Sequence, residues 1–137
     1  MRRGSAGIMM IIGERWMVFL CVALGGAAGA MARFGLGGWV HARQPHFPWA
    51  TLAINVSGAF LLGFALPFLA PHPLLRALLA TGFLGAYTTF STFGLETALL
   101  LQSRRRLDAA TYVLATLVVG IAAAWVGAWA AGLVGHG

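Results

Sequence analysis

The sequence has no lysine, only three acidic residues and a single cysteine in 137 residues. Charged side chains make up 9% of it, against about 25% in an ordinary soluble domain. With 60% hydrophobic residues, a chain this short cannot fold its apolar surface away from water, whereas a bilayer can accept it. Cys21 lies within an apolar run and has no second cysteine to pair with, so it is read as a small buried side chain. There is no serine–histidine–acid arrangement, no pair of carboxylates and no Cys/His cluster for a metal. His41, His46, His72 and His136 lie in loops or at the tail. These absences argue against an enzyme.

All the cations are arginine, and the net charge is +6. Nucleic acid is excluded as the partner because the arginines form no single basic face. They cluster at the ends of apolar runs, where membrane proteins keep their cations. One domain is expected at this length.

Crossing the hydrocarbon core takes about 20 mostly apolar residues. Four stretches qualify: 16–39, 48–70, 74–101 and 109–135. The predicted fold is therefore an all-α membrane protein of four transmembrane helices. Residues 1–15 are expected to be a flexible lead, and 16–135 the membrane domain. Met9, Met10 and Met17 are alternative starts. A cleaved signal peptide fits the first stretch less well, because its apolar run exceeds a typical signal core. The loops His41–Phe47, Pro71–Pro73 and Gln102–Asp108 leave no room for a soluble domain, so any function lies within the membrane.

An even number of spans places both termini on one side of the membrane. Arg2, Arg3, Arg15 and Arg76 fall on that side, and Arg33, Arg43, Arg104, Arg105 and Arg106 on the other. The positive-inside rule needs a bias to choose an orientation, and this balance offers almost none. Insertion in both orientations is expected from charge, and antiparallel pairing of the two forms is then possible. The alternative is that Arg104–Arg106 dominates and fixes one topology.

Small residues recur at four-residue spacing: Gly25, Gly29, Arg33 and Gly37 in the first span, and Gly120, Ala124, Ala128 and Gly132 in the fourth. The second span carries Asn55, Ala59 and Gly63. Such seams let helices approach closely in lipid. The third stretch differs. As one helix its 28 residues would reach about 42 Å, beyond a hydrocarbon core of about 30 Å. Glycines and hydroxyl residues fill its middle, from Gly82 to Gly94, and weaken a helix there. A break near Gly85–Thr89 is expected at mid-membrane. Carbonyls freed by it would suit a cation.

Few residues in the spans can carry chemistry. Arg33 is either a structural anchor, paired with Glu96 or with carbonyls, or an attractor of anions. Asn55 is the carboxamide of the spans, a bond between helices or a donor to an anion. Phe90 and Phe93 lie on one helix face, and the partly positive edges of their rings can support an anion that has shed water. Tyr112 and Thr116 sit one turn apart on the fourth span. Glu96 is the intramembrane carboxylate, placed near a span end where pairing or exposure explains it.

Three blocks then match a known family. Gly25-Gly26-Ala27-Ala28-Gly29-Ala30-Met31-Ala32-Arg33 resembles the opening signature of the Fluc (CrcB) fluoride channels. Thr51-Leu52-Ala53-Ile54-Asn55-Val56-Ser57-Gly58 resembles their second-span signature. Gly82 to Phe93, followed by Glu96, resembles the third, and this block is the most specific. The resemblance covers about Leu24 to Val134. It implies an antiparallel, dual-topology homodimer in the cell (inner) membrane, with two fluoride pores and passive export of fluoride that lowers its cytoplasmic toxicity. It further implies a structural sodium ion, not transported, held by backbone carbonyls of Gly85 and Thr88 from both copies. Asn55, Phe90, Thr92, Phe93, Tyr112 and Thr116 would line the fluoride path, and Arg33 would lie near its aqueous mouth. A proton-coupled exporter of the small multidrug-resistance type is the rival. Its coupling needs a carboxylate in the first span, but Glu14 precedes that span here. A non-conducting assembly subunit is the third reading.

Overall fold

The computed structural model describes residues 3–41 and 47–135. Arg2, Arg43, His46 and His136, which entered the reading of charge and loops, lie outside the described residues. Every regular element among those described is helical. Helix α1 spans Arg3–His41, α2 Trp49–Leu69 and α6 Arg106–Gly135. Between them lie α3 (Pro73–Leu75), a π-helical stretch π1 (Arg76–Leu84), α4 (Gly85–Tyr87) and α5 (Phe90–Gln102).

Three segments are long and apolar enough to cross a membrane: Arg15–Val40 within α1, Trp49–Leu69 and Arg106–Gly135. α1 continues back to Arg3 through the stretch expected to be a lead. Helix α6 starts three residues ahead of the expected 109. Asp108 explains this: it is the acid in the first turn, where the helix dipole favours a negative charge, and it pairs with Arg105 at 2.8 Å. The chain reverses after α2 at Pro71-His72, and Pro73 opens α3 at the position where its missing N–H loses nothing.

The third apolar stretch is not one helix. α3, π1 and α4 run together as a rod of about 22 Å, and α5 adds about 20 Å after an interruption. Neither piece alone matches a hydrocarbon core of about 30 Å. In π1 the backbone widens, and the Gly85 N–H reaches back five residues to the Ala80 carbonyl.

Backbone-to-backbone approach at glycine organises the bundle. A Cβ on Gly25 would fall on the Leu78 carbonyl, and one on Gly29 on the Phe83 carbonyl. On the facing surface, a Cβ on Gly82 would stand 2.7 Å from the Val22 carbonyl oxygen. The first-span seam therefore serves to seat α1 on π1. The second seam joins α2 and α6: Gly63 abuts the Ala124 backbone and Gly127 the Phe60 backbone. Within the single chain only part of the four-residue stripe of α6 takes part in this seam. Ala124 belongs to the seam, but a Cβ on Gly120 would meet nothing within 4 Å and Ala128 is exposed. The residue that meets α2 is Gly127, one position off that stripe, because α6 presents the neighbouring edge of its small-residue face.

The interior is thin. Ile54, Leu84 and Tyr87 form one buried cluster, and Leu100, Ala109 and Tyr112 another. Large apolar side chains such as Phe34 and Trp125 point outward, which suits a chain whose solvent is lipid.

Candidate functional site

The interruption between α4 and α5 is two residues long. Thr88 (φ −74°, ψ 156°) and Thr89 (φ −145°, ψ 121°) are extended. Hydroxyl chemistry accounts for the position. The Thr88 Oγ1 donates back to the Leu84 carbonyl at 2.9 Å, closing the end of α4. The Thr89 Oγ1 caps α5, accepting from the Thr92 N–H at 3.2 Å and donating to the Thr92 Oγ1 at 3.0 Å. Ser91 also joins Thr89, with 3.3 Å between the hydroxyls. Gly82 and Gly85, whose weak helix propensity pointed to this region, remain helical.

Asn55 of α2 grips the interruption from the side. Its Nδ2 donates to the Thr89 carbonyl at 3.0 Å, and its Oδ1 accepts from the Thr89 N–H at 2.9 Å. The orientation of the carboxamide is unambiguous, because a backbone N–H only donates and a carbonyl only accepts. One Nδ2 hydrogen is thereby used, and the amide carries a second.

These bonds also redirect the backbone. In an unbroken α-helix the Thr89 N–H would serve the Gly85 carbonyl, and the Thr92 N–H the Thr88 carbonyl. The first donates instead to Asn55 and the second to the Thr89 hydroxyl. Gly85 and Thr88 thus lose the donors a continuous helix would give their carbonyls. Neutral oxygen donors of this kind suit a hard monovalent cation.

An open groove of about 550 Å³ runs beside the interruption. Asn55, Gly85, Thr88, Phe90, Phe93 and Thr116 all contribute to its wall. Four of the six residues expected to line a path and both expected cation-site residues therefore meet at one place. Phe90 stands 84% exposed on the single chain. Its ring lies 5.9 Å from that of Phe93, tilted by 43°.

Thr92 and Tyr112 are placed differently. Thr92 is tied into the α5 cap. Tyr112 is 0% exposed, set behind Phe93 with 5.2 Å between ring centroids. Its hydroxyl donates to Glu96 Oε2 at 2.7 Å, and Thr51 donates to Glu96 Oε1 at 3.0 Å. The carboxylate of α5 is thus bonded to α2 and α6, and not to Arg33 as one reading of the sequence allowed. Thr116 donates to the Tyr112 carbonyl at 2.8 Å. Arg33 is half-buried on α1 and does not line the groove.

Sequence reasoning missed Thr51, Ser57 and Tyr87. Ser57 and Tyr87 share a hydroxyl–hydroxyl bond of 2.9 Å. A Cβ on Gly58 would strike the Thr88 Cγ2. The signal available was their place within the quoted second- and third-span blocks, but nothing in spacing says which helix faces meet.

Among the described residues every regular element is helical and three helices are long and apolar enough to cross a bilayer, which is the make-up of a small membrane protein. Residues 20–128 match the family described as CrcB-like protein, Camphor Resistance (CrcB). The chain belongs to that family. It is 47% identical over 116 residues to the "Fluoride-specific ion channel FluC" of Acidobacterium capsulatum, covering 81% of this chain and 93% of the relative. The "Fluoride-specific ion channel FluC 2" of Bacillus subtilis is 46% identical over 113 residues, covering 80% and 84% of the two chains. The "Fluoride-specific ion channel FluC" of Hahella chejuensis is 46% identical over 103 residues, covering 72% and 81%.

Proposed function

We propose that the chain is one subunit of a fluoride-specific ion channel that lets fluoride leave the cell passively across the cell membrane. It acts as a channel and not as an enzyme, in keeping with what its relatives are named for. The observation that carries the reading is the two-residue interruption at Thr88–Thr89, held by Asn55 and opening on a groove walled by Phe90 and Phe93.

In this reading the rod Pro73–Tyr87 and helix α5 together make the third of four spans, interrupted at mid-depth. Two copies insert in opposite orientations and pair across the groove, which covers the outward face of Phe90. Fluoride holds its water tightly, so a dry path must replace those bonds. The second Nδ2 hydrogen of Asn55 is such a donor. The ring edges of Phe90 and Phe93 add weak positive potential. Thr116 continues the wall of the path, whereas Thr92 and Tyr112 support it from behind through the α5 cap and Glu96, and Arg33 stands away from the groove. Single donors and ring edges bind weakly enough for the ion to leave, which conduction requires.

The carbonyls of Gly85 and Thr88, one pair from each copy, would hold a sodium ion. That ion would supply fixed positive charge at the dimer centre and would not be transported. This chain's contribution is to withhold the helical donors from those carbonyls, through Asn55 and Thr89.

The test is ion efflux from liposomes containing the purified protein. Rapid electrogenic fluoride efflux with chloride retained is expected. Proton-coupled export of organic cations would replace this reading with a transporter, and no flux of either kind would leave an assembly subunit.

A further inference from the structure

Helix α2 touches the interruption a second time, on its α4 side. Tyr87 is the last residue of α4 and immediately precedes the extended Thr88. Its ring is 7% exposed, packed with Ile54 and Leu84, and stacked on Phe83 at 5.9 Å with 8° between planes. Its hydroxyl lies 2.9 Å from the Ser57 Oγ, and the Ser57 Oγ donates to the Ile54 carbonyl at 3.1 Å. A serine hydroxyl has one hydrogen. Because Ser57 spends it on Ile54, Tyr87 must be the donor to Ser57. The chain of bonds therefore runs one way, from α4 into the backbone of α2. One residue further along α2, Gly58 leaves just enough room for the Thr88 Cγ2.

We propose that Tyr87, through Ser57, is a positioning residue for the carbonyl of Gly85. This rests on the reading of the Gly85 and Thr88 carbonyls as a sodium site. The Gly85 carbonyl lies within α4, so the rotation of α4 about its axis sets its direction, while the Thr88 carbonyl shares a planar peptide unit with the Thr89 N–H that Asn55 holds. The stacked and buried ring fixes where Tyr87 sits. The hydroxyl bond fixes how far α4 turns. Asn55 holds the α5 side of the same interruption, so α2 sets both halves of the site from positions within one turn of each other.

Tyr87→Phe separates positioning from folding. It keeps the ring, and Ser57 keeps its bond to Ile54, so no buried donor is orphaned. The probe is sodium chloride added to dimer purified in an N-methylglucamine chloride buffer, read as the thermal midpoint in detergent. Sodium should raise the wild-type midpoint once its concentration passes the dissociation constant, and logarithmically above it. In Tyr87→Phe the sodium concentration at which the rise sets in should increase about three- to tenfold, the equivalent of one net hydrogen bond. Ser57→Ala should shift it by a similar factor, and the double variant by little more than either alone. A midpoint lowered equally at every sodium concentration, with the onset concentration unmoved, would mean that the bond only stabilises the fold and would overturn the proposal. An unchanged Tyr87→Phe curve beside a responsive wild type overturns it too. If the wild type itself ignores sodium, the cation site and this inference fall together.

Discussion

Replacing Asn55 with alanine removes both bonds that hold Thr89, and the size of the effect can be worked from the structure. Thr89 is 7% exposed, so water cannot readily take over. Its N–H and its carbonyl would each lose a partner, at about 1–3 kcal/mol for each buried group left unsatisfied. The expected loss is therefore about 2–6 kcal/mol, with the lower end applying if the groove lets one water in. Asn55→Asp is a sharper perturbation of similar shape. It keeps an oxygen for the Thr89 N–H but sets a second oxygen against the Thr89 carbonyl, replacing an attraction by a repulsion. It also removes both Nδ2 hydrogens, the one on Thr89 and the one offered to the groove. Fluoride flux in liposomes should fall below detection in Asn55→Asp while the protein still runs as a dimer on size exclusion. Reversible denaturation in mixed detergent micelles measures the stability term. If Asn55→Ala unfolds within about 0.5 kcal/mol of wild type, a range typical of unremarkable surface changes, the carboxamide does not hold the interruption and the reasoning fails.

Phe90→Ile keeps an apolar side chain of moderate size but removes the ring edge, so fluoride flux should be suppressed with assembly intact; wild-type flux would remove Phe90 from the path. Tyr112→Phe leaves Glu96 Oε2 without its donor, and a loss of about 1–3 kcal/mol is expected in the same denaturation assay. Gly25→Val drives a side chain into the Leu78 carbonyl, and because backbone cannot yield as a side chain does, no folded dimer should be recovered; normal yield and midpoint would contradict the α1–π1 seam. Arginines inserted into one loop should bias insertion towards one orientation and reduce flux if the pair is antiparallel, whereas full activity from a single forced orientation would exclude antiparallel pairing.

Much of this architecture is legible in the sequence. The apolar runs 48–70 and 109–135 carry no charge, and nothing competes with a long apolar helix over either. The interruption was harder to place. Glycine propensity draws attention to Gly82 and Gly85, but both stay helical, Gly82 because α1 needs its missing side chain. What ends α4 and starts α5 is a pair of threonines, one bonding back to Leu84 and the other capping α5. The pattern Thr89-x-x-Thr92 carried that signal. The groove residues were legible as isolated polar or aromatic groups in apolar surroundings. Their pairings were not, because which hydroxyl meets which depends on how each helix is rotated about its axis, and a spacing pattern leaves that angle open. The same freedom hid Gly127 behind the more regular stripe one position away, and hid Ser57 and Gly58 beside the conspicuous Asn55.

The grip of α2 on the Thr88–Thr89 bend has a consequence for engineering. The bend is not a self-contained module, because its geometry is dictated by a helix nearer the start of the chain. Transplanting the third-span block alone into a foreign helical scaffold should yield a straight or collapsed helix. Carrying Asn55, Ser57 and Gly58 along, on a neighbour crossing at the same depth, should restore the kinked shape.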